Sequence, residues 1–196
     1  GSIDRRRAVG KLLELQDKLV FEPLKGKAGI GHTRWATHGE PNERNAHPHT
    51  RGAVSVVHNG IIENFLTLRE ELKSYGYKTE TDTDSETIAV LCSKFIDEGH
   101  EPLIAARKTL SKLTGSFAIA MLFEGHKNLI FAARSGSPLA VGYGKNEMYL
   151  GSDALALLPL TKEVAYLEEG DHAVLTREGS EIYDVKGNSV SRQITY

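Results

Sequence analysis

The sequence predicts an α+β fold built on an antiparallel sheet. Apolar residues recur at helical spacing through the first half, strand-like runs separated by turn residues fill the second, and 196 residues at 40% hydrophobic suffice for one core. We expect one globular unit spanning 1–196.

Leu12, Leu13, Leu15 and Leu19, interleaved with Lys, Glu, Gln and Asp, predict a short amphipathic helix stopped near Pro23 and Gly26. A strand over 28–33 then leads into a loop that runs to His49. The stretch 28–49 holds four histidines, three glycines and two prolines without helical or strand period after Ala36, and so long a loop in a compact domain marks a functional segment. The β-branched run at 53–60 predicts a buried strand ending in Asn59-Gly60. Phe65, Leu68 and Leu72 predict a second helix, and Ile88, Leu91, Cys92 and Phe95 a third between Asp84 and Gly99. A fourth covers 102–113, with Pro102 in its first turn and Gly115 just past its end. Strands follow at 116–123, 128–134, 138–143, 147–152 and 172–176.

Composition removes several function classes. A net charge of −2, with both signs spread along the chain, leaves no footprint for nucleic acid. Arg5, Arg6 and Arg7 read as a solvated approach to the first helix. The longest apolar runs, such as FAIAMLF at 117–123, are far too short to cross a bilayer, and nothing at the start reads as a signal peptide. One cysteine cannot form an internal disulfide, which agrees with a reducing compartment, and a cytoplasmic protein is expected.

A site for a free amino acid needs a cation for the α-carboxylate, a carboxylate for the α-ammonium and donors for a developing oxyanion. Arg34, at the end of the 28–33 strand, can supply a two-pronged guanidinium grip. Asp84 opens a helix, where it either holds an ammonium or caps the first turn. Asn59 and Gly60 either aim a side-chain amide and a backbone amide at one point or form an ordinary Asn-Gly turn. Trp35 either closes over a ligand or anchors its loop on the core.

Rival chemistries are poorly supplied. Of eight histidines, five fall at 32, 38, 47, 49 and 58, but His47-Pro48-His49 is expected to point its rings to opposite sides, and no familiar zinc spacing is completed. No metal is expected. Cys92 lies in the apolar stripe of its helix and reads as a buried, inert thiol. Ser135-Gly136-Ser137-Pro138 reads as a turn rather than a nucleophile elbow, and no phosphate-binding glycine loop is present, so no cofactor is expected.

The stretches HTRWATHG at 32–39, NAHPH at 45–49, VHNGIIEN at 57–64 and DTDSETIA at 82–89 resemble the class II glutamine amidotransferase family, in its glucosamine-6-phosphate synthase branch. The similarity continues through RSGSPL at 134–139, GSDALALLPLT at 151–161 and LEEGD at 167–171. It implies a four-layer αββα sandwich of the N-terminal nucleophile hydrolase type. It also implies that Arg34 takes the α-carboxylate of L-glutamine, Asp84 its α-amino group, and Asn59 with the Gly60 amide the oxyanion. Trp35, Thr37 and His38 would lie on a loop folding over the substrate, the tryptophan guarding the exit of ammonia. A sugar-isomerase domain acting on fructose 6-phosphate is the implied partner, and a homo-oligomer is compatible with it.

One departure stands out. Family members begin Cys-Gly, the thiol attacking the amide and the free α-amine serving as base. This sequence begins at Gly1, with Ser2 no credible substitute, so a chain lacking the first strand and an early helix, and inactive as it stands, is expected. A catalytically dead glutamine-binding module is the alternative.

Overall fold

The computed structural model describes residues 1–35 and 39–195. Helix α1 is Leu12–Phe21; strands β1 (His49–Arg51) and β2 (Val54–Ile62) follow, then helices α2 (Phe65–Ser74), α3 (Asp84–Asp97) and α4 (Pro102–Leu110). The second half holds β3 (Gly115–Phe123), β4 (Ile130–Ser135), β5 (Ala140–Gly144), β6 (Glu147–Gly151), the short helix α5 (Ala154–Leu157), β7 (Glu163–Tyr166), β8 (His172–Leu175), β9 (Ser180–Tyr183), β10 (Ser189–Val190) and β11 (Ile194–Thr195).

The strands form two antiparallel sheets. One runs β1-β2-β3-β4-β8-β9-β10 and the other β11-β7-β5-β6. Alternation along each strand sorts side chains into three apolar layers, because successive residues point to opposite faces. Phe117, Ile119, Met121 and Phe123 of β3, with Phe131 and Ala133 of β4, face outward into a cluster with Leu68 and Leu72 of α2, Ile88, Leu91 and Cys92 of α3 and Ala105 and Ala106 of α4. The alternate residues Ala118, Ala132 and Ala173 face inward and meet Leu139, Val141, Leu167, Leu175 and Ile182 between the sheets. A third cluster sets Leu157 of α5 against Ala140 and Val164 on the outside of the smaller sheet. The order helices, sheet, sheet, helix is the expected four-layer αββα arrangement, with a fourth layer only four residues long.

The predicted helices, the strand at 53–60 and the five predicted strands of the second half form within a few residues of the expected bounds. Three expectations are corrected. Residues 28–33 form no strand: Gly29 and Gly31 face open space and β1 is the edge of its sheet, so nothing pairs with the segment. Asn59-Gly60 is not a turn, since β2 continues to Ile62 and pairs Asn59 with Ala118 and Gly60 with Phe117. Gly60 is needed instead for its φ of 117° and for close approach, because a Cβ there would lie 2.0 Å from the Ser116 carbonyl oxygen. The third correction concerns the arginines at 5–7, which grip backbone: Arg7 donates to the carbonyls of Ala46 (3.0 Å) and Arg44 (3.1 Å), and Arg5 to that of Pro48 (3.3 Å). Helix α1 forms as predicted but buries none of its residues.

Candidate active site

A cleft of about 290 Å³ opens where the end of β2 meets the start of α3, and Arg34, Trp35, Asn59, Gly60 and Asp84 all line it. The sequence-predicted residues are thereby brought together from three separate segments. Thr37 and His38 lie outside the described residues.

The start of α3 is built by a division of labour. Thr83 is the cap: its hydroxyl accepts from the Glu86 amide at 3.4 Å, satisfying a first-turn donor. Asp84, one residue further on, does not cap. Its Oδ2 accepts the Ile62 amide at 2.8 Å, tying the helix to the end of β2, and the residue is 3% exposed. Glu86 sits at capping-box spacing from Thr83, but its carboxylate reaches the amides of Glu80 (2.8 Å) and Thr81 (2.7 Å) and so fixes the approach to the helix.

Histidines form the wall behind the cleft. Ser85 Oγ lies 3.0 Å from His47 Nε2 and 2.9 Å from His58 Nδ1, and His49 Nε2 is hydrogen-bonded to Thr83 Oγ1 at 3.0 Å. The rings of His32 and His47 are 4.0 Å apart and those of His47 and His49 4.9 Å, so His47 and His49 do not point to opposite sides of their chain as the sequence suggested. Both are drawn to the same helix start, one to Ser85 and one to Thr83; the intervening His47-Pro48 peptide is cis. Burial pushes the His47 imidazole down to about 2, with the neighbouring histidines and Arg34 adding to it, and burial with Arg7 and Arg5 pushes His49 down to about 3. These rings are neutral at physiological pH. Among the described residues no group of three or more His, Cys, Asp or Glu side chains is arranged to hold a metal ion.

His32 Nε2 lies 2.6 Å from Asn59 Oδ1. Arg34 directs its guanidinium at the loop, Nη1 donating to the Glu40 carbonyl (2.8 Å) and Nη2 to that of Gly39 (3.1 Å). Trp35 is 90% exposed at the rim, so it does not anchor its loop on the core. Cys92 is fully buried on the far side of the large sheet, and burial raises its thiol to about 12, as expected of an inert structural residue. Sequence reasoning passed over Thr83 and Ser85 and weighed His32 only as one of the clustered histidines. The Thr-x-x-Glu spacing at 83–86 could have signalled the cap, whereas no local pattern announces the pairing of His32 with Asn59.

A family model for a glutamine amidotransferase domain matches residues 32–159, more than half of the chain. The chain is 56% identical over 194 residues to the glutamine--fructose-6-phosphate aminotransferase [isomerizing] of Brucella suis, and 56% identical over 194 residues to that of Zymomonas mobilis. Each alignment covers 99% of this chain but 32% of the relative, so the chain spans about a third of the length of these proteins. Among solved structures, one described as the allosteric regulatory enzyme of purine biosynthesis aligns with a TM-score of 0.76 and 25% identity, covering 91% of this chain and 39% of that one. The glutamine phosphoribosylpyrophosphate amidotransferase of B. subtilis aligns with a TM-score of 0.66 over 81% of this chain and 35% of that one; at 23% identity it speaks for the fold alone. The cleft residues Arg34, Asn59, Gly60 and Asp84 all fall inside the segment that the family model matches, and the chain belongs to the glutamine amidotransferase domain family.

Proposed function

We propose that this chain is the glutamine-hydrolysing part of a glutamine--fructose-6-phosphate aminotransferase. The observation that carries the reading is the convergence of a guanidinium, a buried carboxylate and two amide donors on one cleft, in a chain 56% identical to such enzymes along nearly its whole length. The arrangement supplies what an α-amino acid amide needs. Arg34 takes the α-carboxylate of L-glutamine through its two-pronged guanidinium, and Asp84 takes the α-ammonium. That leaves the side-chain amide of glutamine toward Asn59 and Gly60.

Attack of a thiolate on that amide puts negative charge on its oxygen. Asn59 Nδ2 and the Gly60 amide are the donors that stabilise it, and such donors act most strongly when they are already in place before the reaction. Gly60 is held by nine consecutive pairs between β2 and β3, so its amide is positioned by the sheet itself. Collapse of the intermediate releases ammonia and leaves a thioester that water cleaves to glutamate. The attacking thiol is not Cys92, the one cysteine of this sequence, which is buried on the helix side of the large sheet. Ammonia then passes to a sugar-isomerase partner domain that uses fructose 6-phosphate.

Glutamate release by the longer protein carrying this domain tests the reading. Steady glutamine-dependent release, with the Michaelis constant for glutamine raised by Arg34→Ala, is expected; no release, or an unchanged Michaelis constant, overturns it. Titrating the 196-residue chain with L-glutamine gives a second measure: saturable binding lost in Arg34→Ala supports the cleft as the glutamine site.

A further inference from the structure

We infer that His32 is a positioning residue for this reaction: by donating from Nε2 to Asn59 Oδ1 it selects which end of the Asn59 amide faces the cleft. The inference rests on the glutaminase reading above. A carboxamide is nearly symmetric in shape and opposite in function at its two ends, one accepting and one donating. Turned one way, Asn59 offers an N–H to a developing oxyanion; turned the other, it offers a second oxygen and repels it. The choice is therefore a matter of catalysis, and something has to make it.

Among the described residues the His32 contact, at 2.6 Å, is the only hydrogen bond of the Asn59 side chain, which is otherwise exposed. Oδ1 can only accept, so this contact calls for the proton on His32 Nε2; the competing acceptor is the His58 backbone, while Nδ1 is buried without a hydrogen-bond partner. Asn59 Nδ2 is then left for the cleft. His32 itself sits on a segment without regular structure, and a Cβ on Gly31 beside it would meet open space, so its own segment does not fix the ring. Other segments hold it instead, through the Asn59 side chain and the His58 backbone. His32 packs on His47 with ring centres 4.0 Å apart, and His47 is fixed to Ser85 in the first turn of α3, next to Asp84. The helix start that presents one substrate-binding group thereby also orients, through two imidazoles, an oxyanion donor. Burial holds the His32 ring below its ordinary value, so the ring is neutral near pH 7 and its tautomer is a definite, readable choice.

Two experiments test this. The first is the imidazole ¹⁵N spectrum of the 196-residue chain, in which His32 is expected as the Nε2–H tautomer at pH 7.5 and loses that preference in Asn59→Leu. An Nδ1–H tautomer, or one indifferent to Asn59→Leu, overturns the inference. The second uses the longer enzyme carrying this domain. His32→Ala is expected to lower kcat for glutamate release by roughly 10- to 100-fold, a part of the loss seen on deleting an oxyanion donor outright, with KM within about twofold; His32→Gln, whose amide can donate to Oδ1, recovers part of it. If Asn59→Ala lowers kcat and His32→Ala does not, this inference alone fails. If the unsubstituted enzyme releases no glutamate, the glutaminase reading fails and this one with it.

Discussion

Asp84 Oδ2 accepts the amide of Ile62 at 2.8 Å, so the first residue of α3 is bonded to the last residue of β2 across the mouth of the cleft. The structural task of this carboxylate and the binding task proposed for it can be dissected by substitution. Asp84→Asn keeps an acceptor oxygen for Ile62 and removes the charge, whereas Asp84→Ala also strands a buried amide, at a cost of roughly 1–3 kcal/mol. Asp84→Asn is expected to abolish glutamine binding while lowering stability far less than Asp84→Ala. Denaturant unfolding and calorimetric titration of both variants check this; equal destabilisation by the two would contradict the division.

Gly60 is expected to tolerate no side chain. At a φ of 117°, and with the Ser116 carbonyl 2.0 Å from where a Cβ would sit, Gly60→Ala forces β2 and β3 apart. A loss of roughly 2–4 kcal/mol, or failure to fold, is expected on grounds of strain in a paired strand. Gly76, which has a φ of 85° but nothing near its Cβ position, serves as the control: Gly76→Ala should cost about 1 kcal/mol from backbone strain alone.

Acid should weaken the fold through His47 and His49. Unfolded, each titrates near 6.5; folded, they titrate at about 2 and about 3. Between those limits the unfolded chain binds more protons, so stability rises with pH and is lost as pH falls from about 6.5 toward 3. Each ring contributes a slope of up to about 1.4 kcal/mol per pH unit in that window. Urea unfolding at pH 7 and pH 5 reads the difference, and His49→Gln should flatten it. A stability independent of pH over that interval would show that these rings are not buried as described.

Cys92 is expected to resist thiol reagents. With its thiol raised to about 12 and no solvent exposure, labelling at pH 8 should appear only when urea unfolds the chain. Rapid labelling of the native chain would contradict this burial.

Much of the architecture was legible because period is a local property. The alternation in β3 announces both the helix-facing cluster of Phe117, Ile119 and Met121 and the inter-sheet face of Ala118. Strands β7 and β9 escaped notice although β8, equally four residues long, did not: β8 is buried throughout and reads as an apolar run, whereas β7 and β9 bury two residues and one. Asn59-Gly60 misled for a different reason: the pair is a strong turn signal on its own, and only the ladder to Ala118 and Phe117 shows that the strand continues. Residues whose chemistry is intrinsic, such as Arg34 and Asp84, could be singled out from sequence, and the structure brings both to the cleft. Residues whose importance lies in a long-range contact could not. His32 is 27 positions from Asn59, and Arg7 is 39 from Ala46, whose carbonyl it holds.

The Ser85 hydroxyl sits between two imidazole nitrogens, His47 Nε2 and His58 Nδ1, but carries a single hydrogen. It can give that hydrogen to one ring only, so the other ring must give one to it. The two histidines therefore cannot choose their tautomers independently: when one presents a bare nitrogen to Ser85, the other presents an N–H. The hydroxyl can give its hydrogen to His47, or to His58, or accept an N–H from both; the one excluded arrangement is that in which both rings present bare nitrogens. What couples the two rings is thus written in where three hydrogens lie rather than in where any heavy atom does.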